Sequence, residues 1–214
     1  MSTKRTRLSK KAIIFDMDGT LVDSSITIVN AINHVRSNLR LDNMERELIL
    51  EKVNDPHLNP AEFFYEVPAF TTDHEQWFSS YYTDNHKQEL QLYNGITELL
   101  KNLKENGYAL AVATNAYRGS TLESLSHLKV LEYFDSIACY DDVPKGKPSP
   151  DMLKKNLEDL KVSTQECIFV GDSERDLLAS EAINMDYLMV NWGFSDYEDA
   201  IHSVEKLQET LLDF

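Results

Sequence analysis

The chain has 214 residues, 42% of them hydrophobic and 27% charged, which is the composition of one globular domain or of a domain with a modest insertion. The formal net charge is −15 at pH 7. Because so acidic a protein repels phosphate backbones, we expect no nucleic-acid partner. No apolar run approaches the ~20 residues that cross a bilayer, so we expect no membrane partner either.

The chain begins with a basic segment, residues 1–11, in which five basic side chains occur without an acidic one. We interpret this segment as a solvated terminus, because it lacks the apolar stretch of a signal peptide. The only cysteines, Cys139 and Cys167, each lie in an apolar run, which is typical of buried residues in a reducing compartment. We therefore predict a cytoplasmic protein, acting as a monomer.

The first predicted strand is the apolar run Ala12–Phe15. About ninety residues then pass before the next strand-like run, far more than one crossover helix needs. Helical periodicity fills that interval, over residues 24–40, 43–53 and 72–92. We predict an all-helical cap domain at 24–90, inserted into a core formed by 1–23 and 91–214.

Beyond the insertion, helical patterns alternate with short apolar runs. One helix is predicted to begin at Pro150, with Ser149 as its N-cap. The runs are nearly continuous in hydrophobicity, as in strands covered by helices on both faces. The strand-like runs are Leu110–Ala113, Ile137–Tyr140, Ile168–Val170 and Tyr187–Val190. Alternation of this kind predicts an α/β fold with a parallel sheet and right-handed crossovers.

Polar clusters follow the predicted strands at their carboxyl ends, the edge where open α/β sheets bind ligands. Asp16 and Asp18 end the first strand, and they point to the same side of an extended segment. Each cluster alone could be a polar turn, but their joint occurrence at one edge favours a catalytic site. The later clusters are Thr114-Asn115, Lys145 to Ser149, and Gly171 to Asp176.

The ordered set resembles the haloacid dehalogenase superfamily, in the subgroup with a helical cap after the first strand. The residues that carry the resemblance are Asp16-Met17-Asp18-Gly19-Thr20, Thr114, Lys147, and Gly171-Asp172 with Asp176. The resemblance implies a Rossmann-like, three-layer α/β/α core in which the first strand lies between the second and the fourth.

The resemblance also implies roles for these residues. Asp16 would attack phosphorus as an ionised carboxylate, and Asp18 would be the general acid and base. Mg²⁺ would be held by Asp16, Asp172 and the main-chain carbonyl of Asp18. The remaining assignments are Lys147 and Thr114 as catalytic groups that stabilise charge, Thr20 and Asn115 as substrate contacts, Gly19 and Gly171 as supporting residues, and Asp176 as the residue that orients Lys147 or a metal-bound water. Lys145 is the competing lysine, and Lys147 is preferred because it directly precedes Pro148 as the family's lysine precedes a proline.

The cap sequence suggests the class of substrate. Residues 53–86 contain no Lys or Arg, and a second anionic group on a substrate is normally met by such a cation. We therefore predict a neutral sugar or polyol phosphate, unless Arg36, Arg40 or Arg118 reaches the site. The predicted specificity loop is 54–60, with Asn54, His57 and Asn59 as candidate substrate contacts.

The sequence thus predicts a Mg²⁺-dependent phosphatase that acts on a small phosphorylated metabolite through an aspartyl-phosphate. An aspartate at position 18 favours phosphate monoesters over haloacids or phosphonates within the family. A phosphosugar mutase is an alternative, although the mutases carry a histidine where this chain has Ile28 and His34 lies further on. A non-catalytic regulatory relative is a third hypothesis, which the retained acids Asp16, Asp18 and Asp172 disfavour.

Overall fold

The computed structural model describes residues 10–193 and 197–214, so most of the basic segment predicted at 1–11 lies outside the described residues. The strands and helices in chain order are β1 (Ala12–Phe15), β2 (Val22–Asp23), α1 (Ser25–Asn38), α2 (Arg46–Lys52), α3 (Pro60–Tyr65), α4 (Thr72–Glu89), β3 (Gln91–Leu92), α5 (Ile96–Glu105), β4 (Ala109–Ala113), α6 (Arg118–His127), β5 (Ser136–Ala138), α7 (Asp151–Leu160), β6 (Cys167–Gly171), α8 (Glu174–Glu181), β7 (Asp186–Met189) and α9 (Val204–Leu212).

The main sheet has five parallel strands in the order β5-β4-β1-β6-β7. Ile13 of β1 is in register with Leu110 of β4 on one side and Ile168 of β6 on the other. The predicted central position of the first strand is therefore confirmed. Its four residues are fully buried, as expected for a strand with neighbours on both edges and helices on both faces.

Alternate residues of β1 enter different hydrophobic clusters, which makes the core three-layered as predicted. Ile13 and Phe15 pack with apolar residues of α5, α6 and α9. Ala12 and Ile14 pack with α7 and α8 on the opposite face. The side chains of a strand alternate between faces, so one short apolar run serves both layers.

Several predicted boundaries differ from the structure by one or two residues, and two of these differences have a clear local cause. Strand β5 ends at Ala138, because Tyr140 already begins a short 3-10 turn. Helix α7 begins at Asp151 with Pro150 in the capping position, one residue later than predicted, because the Ser149 backbone N–H donates to Gly146 in the preceding turn, at 2.9 Å.

The interval between β2 and β3 contains four helices, α1 to α4, with a hydrophobic cluster of their own. Val35 of α1, Ile49 of α2 and Phe64 of α3 are buried in it. Helix α3 begins at Pro60, the last residue of the predicted specificity loop. None of the helices in the described ranges is long and apolar enough to cross a membrane.

A two-stranded antiparallel pair, β2 with β3, brackets the four helices α1 to α4 along the chain. We propose that this pair marks the two crossings between a core of 1–23 and 91–214 and a cap of 24–90. The separate hydrophobic cluster of the four helices supports this division.

Candidate active site

Asp16 lies at the carboxyl end of β1 and is 6% exposed. Its backbone N–H donates to Val170 of β6, at 2.8 Å, which fixes the residue at the sheet edge. The chain then turns tightly, since the Leu21 and Val22 N–H groups both donate to the Met17 carbonyl, at 2.9 Å. The turn holds Asp18 beside Asp16 at the carboxyl-terminal edge of the sheet.

Lys147 reaches this carboxylate from a different loop. Its Nζ lies 2.5 Å from Asp16 Oδ1 and 2.6 Å from Asp176 Oδ1, and its side chain is buried. Asn115 holds the loop: its Nδ2 donates to the Lys147 carbonyl at 3.0 Å, and its Oδ1 accepts the Lys147 N–H at 2.8 Å. Lys145, the competing lysine, is exposed, so the structure brings Lys147 and not Lys145 to Asp16.

Asp176 has two functions in the first turn of α8. Its Oδ2 accepts hydrogen bonds from the backbone N–H and the hydroxyl of Ser173, at 3.2 and 2.7 Å, which caps the helix. Its Oδ1 holds Lys147. A side chain at Gly171 would stand 2.6 Å from Asp176 Oδ2, so the close approach requires glycine there. Gly171 and Asp176 therefore support the position of the lysine.

Three buried carboxylates converge at this edge. Asp16, Asp172 and Asp176 each offer an oxygen, and these oxygens lie within 4.8 Å of one another. The ammonium of Lys147 balances one of the three negative charges, which leaves an excess that a divalent cation would neutralise. Three carboxylate oxygens are the donors that Mg²⁺ selects, so the residues present fit that ion. The Asp18 carboxylate is not part of the group.

Burial dominates the protonation of the two aspartates that follow β1. It raises the pKa of Asp16 to about 7, while the Lys147 ammonium acts in the opposite direction. Burial also raises the pKa of Asp18, and Asp18 Oδ1 accepts no hydrogen bond from the described part of the chain. A raised pKa suits a carboxyl group that must carry a proton to a leaving group.

The side chain of Lys147 is positively charged in the folded protein. Burial lowers the pKa of this lysine, but the charges of Asp16 and Asp176 outweigh that effect and hold its pKa above the usual range. The side chain therefore remains an ammonium ion at neutral pH, fixed by two carboxylates. Such a fixed charge requires no reorganisation when negative charge develops beside it.

Two threonines predicted to act at the site are both buried. Thr114 follows β4 and lines the cavity above Asp16; its Oγ1 accepts the Ala116 N–H at 3.1 Å. Thr20 was predicted as a substrate contact, but its hydroxyl donates to Asp172 Oδ1 at 3.4 Å, and it is not among the cavity-lining residues. Its carbonyl accepts the Trp192 indole N–H at 3.0 Å. The structure therefore places Thr20 as a support for Asp172.

A cavity of about 210 Å³ lies between the core and the four helices. Its floor is polar and is formed by Asp16, Asp18, Thr114, Asn115 and Lys147. Its opposite wall is apolar and is formed by Ile28, Ile32, Val53, Phe78 and Tyr82. Five of the site residues predicted in the core thus meet at one small chamber with a charged floor and an apolar wall. Thr20, Asp172 and Asp176 do not line it.

The three cap residues predicted as substrate contacts are separated. Asn54 lines the cavity, but His57 and Asn59 do not. The side chain of His57 is 77% exposed, with Nε2 3.7 Å from Glu174 Oε1. The side chain of Asn59 caps α3 by accepting the Ala61 N–H at 3.1 Å. The geometry does not support substrate contacts for His57 and Asn59; for Asn59 the physical reason is helix capping.

The structure also brings to the cavity a cation that is not among the predicted site residues. Arg175, in the first turn of α8, lines the cavity, and its guanidinium donates to the Asp55 carbonyl at 3.0 Å. The three arginines considered from sequence are not among the lining residues. Arg36 donates to backbone carbonyls, Arg118 pairs with Asp142, and Arg40 is exposed.

Gly19 is the supporting glycine whose replacement has the clearest expected result. Its φ is +82°, and a Cβ there would lie 2.3 Å from Asp172 Oδ2. We expect Gly19→Ala to lower the free energy of unfolding by about 2 kcal/mol or more, through backbone strain and contact with Asp172, and to reduce turnover by displacing that carboxylate. Urea unfolding and an activity assay measure the two effects.

Gly107 provides a matched control. Its φ is +85°, yet nothing lies within 4 Å of the position of its Cβ. Gly107→Ala carries the same backbone strain without the steric contact, so it should lose about 1 kcal/mol and keep full activity. Equal effects of the two substitutions would contradict the proposed contact with Asp172.

Comparisons with known proteins point to one family. The family model described as haloacid dehalogenase-like hydrolase matches residues 13–190. A relative named pyrophosphatase PpaX from Bacillus mycoides is 27% identical over 185 residues, which cover 84% of this chain and 83% of the relative. The PpaX of Halalkalibacterium halodurans is 28% identical over 172 residues, which cover 79% and 78% of the two chains.

Solved structures show the same fold over nearly the whole chain. A predicted phosphatase from Clostridium acetobutylicum superposes with a TM-score of 0.83 at 26% identity, covering 96% of this chain and all of the other. A predicted phosphoglycolate phosphatase from Haemophilus somnus superposes with a TM-score of 0.76 at 26% identity, covering 90% of this chain and 89% of the other. The chain therefore belongs to the haloacid dehalogenase-like hydrolase family and is an enzyme of its phosphatase class.

Proposed function

We propose that this enzyme is a Mg²⁺-dependent phosphatase that cleaves a small phosphate monoester through an aspartyl-phosphate on Asp16. The observation that carries the proposal is the floor of the cavity. There the buried Asp16 carboxylate lies 2.5 Å from the Lys147 ammonium, with Asp18 beside it and Thr114 facing the same space. An anionic nucleophile, a fixed cation and a protonatable acid thus face one small chamber.

The reaction follows from the roles of these side chains. An oxygen of Asp16 attacks phosphorus while the leaving oxygen departs on the opposite side, and Asp18 gives its proton to that oxygen. Lys147 and the Thr114 hydroxyl stabilise the negative charge that spreads over the equatorial oxygens. Asp18, now ionised, accepts a proton from water as the water attacks phosphorus, and this step releases phosphate and restores Asp16.

The metal site in this proposal consists of Asp16, Asp172 and Asp176, whose oxygens converge, together with the Asp18 main-chain carbonyl expected from sequence. When bound, Mg²⁺ supplies positive charge that lets an anionic carboxylate approach an anionic phosphate. Thr20 supports the site by donating to Asp172, and Lys147 holds Asp16 and Asp176 in place.

Water is the proposed acceptor, in preference to a sugar hydroxyl. The position where related mutases carry a histidine is Ile28, and this side chain lines the cavity. His34 lies against Tyr81, with ring centroids 5.4 Å apart, and is not a lining residue. The apolar side chain at position 28 supports hydrolysis over phosphosugar transfer. The retained acids Asp16, Asp18 and Asp172 disfavour a purely regulatory protein.

The size of the cavity suits a small substrate. A volume of about 210 Å³ accommodates a phosphate group and a few further heavy atoms. A sugar or polyol phosphate is the class predicted from sequence, and of its predicted cap contacts Asn54 is the one that lines the cavity. We include in the proposal that the enzyme acts as a monomer in the cytoplasm; its two free cysteines, both buried, support the location.

The test is a phosphate-release screen over sugar, polyol, nucleotide and carboxylate-bearing monoesters, with and without Mg²⁺. We expect release that requires Mg²⁺, ceases on chelation and returns when the ion is restored, with Asp16→Asn as the inactive control. Release that continues unchanged in excess chelator would contradict the metal assignment, and no release from any monoester would contradict the proposed function.

A further inference from the structure

The cavity contains one charged side chain that the proposed mechanism does not use. Arg175 follows the Asp172-Ser173 segment and lines the same cavity as Asp16 and Lys147. It is half-buried, and burial lowers the pKa of its guanidinium, although the charges of Asp176 and Asp55 act in the opposite direction. A guanidinium stays protonated in proteins, so this is a partly desolvated positive charge beside the substrate space.

The partners of Arg175 are incomplete. Its guanidinium has five N–H donors, and one of them meets the Asp55 carbonyl at 3.0 Å. Within residues 10–193 and 197–214, no carboxylate forms an ion pair with Arg175; Asp176 pairs instead with Lys147 and Glu174 lies near His57. A planar guanidinium with unused donors matches a carboxylate or phosphate group.

The apolar wall opposite the floor cannot bind an anionic group. The side chains of Ile28, Ile32, Val53 and Phe78 carry no charge and no polar atom. An anionic group placed against that wall without a partner would lose its hydration without compensation. Arg175 is therefore the cation that could accept a second anionic group, because Lys147 is already bound by two carboxylates at the floor.

We propose that Arg175 is a specificity-determining residue that binds a second anionic group on the leaving group of the substrate. The proposal rests on the proposed function and extends it to the substrate class: a small monoester or anhydride whose leaving group ends in a carboxylate or a phosphate. It replaces the neutral sugar or polyol predicted from the absence of cations in 53–86, because the cation comes from α8 of the core.

The position of Arg175 also links recognition to the cap. The same guanidinium that would bind the substrate anion holds the backbone of the loop between α2 and α3 through Asp55. An anion bound by Arg175 therefore lies directly beneath that loop. Its recognition depends on the cap loop lying close to the core.

The test uses three substrates and two substitutions. Phosphoglycolate supplies a carboxylate, inorganic pyrophosphate supplies a second phosphate, and hydroxyethyl phosphate is the neutral counterpart of phosphoglycolate. We expect Arg175→Gln to lower kcat/KM for one or both anionic substrates roughly 10- to 100-fold, chiefly through KM, and to change the neutral substrate less than about threefold. Arg175→Lys should recover part of the loss.

The two anionic substrates identify the preferred group, carboxylate or phosphate. Arg40→Gln, which removes an exposed arginine charge elsewhere, is the control and should leave all three rates unchanged. An equal loss on neutral and anionic substrates would show that Arg175 only holds the cap loop, and no loss on either anionic substrate would also overturn the inference.

A binding measurement separates this inference from the proposed function. Calorimetric titration of Asp16→Asn with phosphoglycolate and with pyrophosphate, in Mg²⁺, compares the variant with and without Arg175→Gln. A roughly tenfold or greater weakening for either ligand supports the role of Arg175 even if the wild-type enzyme hydrolyses none of the three substrates, a result that would contradict the proposed function alone. Unchanged affinity for both ligands overturns the inference.

Discussion

Asp16→Asn should reduce turnover at least about 10⁴-fold, because an amide oxygen is a far poorer nucleophile than a carboxylate and no other carboxylate lies in its position. The substitution keeps the size and shape of a side chain that is buried at the end of β1, so the fold should be retained. The measurement is single-substrate phosphate release, with circular dichroism to verify the fold. Activity above a few per cent in a contaminant-free preparation would contradict the assignment.

The same substitution should stabilise the metal-free protein at alkaline pH. The folded-state pKa of Asp16 is about 7, against 3.8 for the unfolded chain, so folding favours its protonated form. The resulting contribution to stability is present below pH 3.8 and is lost as the pH rises through about 7. In chelator at pH 8, Asp16→Asn should therefore raise the free energy of unfolding, on the order of 1–3 kcal/mol.

The pH dependence of this difference provides the control. Near pH 4 the folded protein already holds Asp16 protonated, so the difference between variant and wild type should become small. Added Mg²⁺ should narrow the difference at pH 8, because it stabilises the ionised carboxylates of the wild type. Urea unfolding at pH 4 and pH 8 measures the difference in the free energy of unfolding between variant and wild type. A variant less stable than the wild type at pH 8 would contradict the proposed cost of burying the ionised Asp16 carboxylate.

Most strands of the main sheet could be predicted from sequence, because buried strands leave a recognisable apolar run. Strands covered on both faces require continuous apolar runs, and Ala12–Phe15 is such a run. The two-residue strands β2 and β3 were missed, since two residues carry no periodicity. Helix α3 was missed although Asn59-Pro60 is an N-cap followed by a proline at the first helical position. This capping signal lies at the end of the segment predicted as a loop.

The candidate site likewise has one part that could be predicted from sequence and one part that could not. The floor was predictable, because parallel strands bring their carboxyl ends to one edge and so gather residues such as Asp16 and Asp172. The opposite wall was not, since it depends on how the four helices lie over the core. Arg175 and Asp55 are 120 residues apart in sequence, and no local pattern indicates that they meet. The side chain of Asn59 shows the converse, a polar residue whose local capping hydrogen bond determines its position.

The second large effect on activity is expected from replacing Asp18, which has to both donate and accept a proton. Asp18 must hold a proton when the ester bond breaks and must accept one when water attacks. Its carboxyl lines the cavity, burial raises its pKa, and it lies outside the group of carboxylates that could hold a metal. An amide at this position can neither give nor accept that proton, but it leaves Asp16 and the metal-binding carboxylates unchanged.

Asp18→Asn should therefore slow hydrolysis of an alkyl phosphate about 10²- to 10⁴-fold, and the loss should depend on the leaving group. An aryl phosphate with an acidic phenol leaves without a proton, so its first step should be nearly unaffected, and phosphorylated Asp16 should accumulate because water attack is still slowed. A burst of phenol release followed by slow turnover is the expected signature, and mass spectrometry of the quenched protein should show the added phosphoryl group. Asp16→Asn serves as the control that shows neither burst nor adduct. Equal losses on alkyl and aryl substrates in the first turnover, without an adduct, would show that Asp18 only shapes the turn after β1.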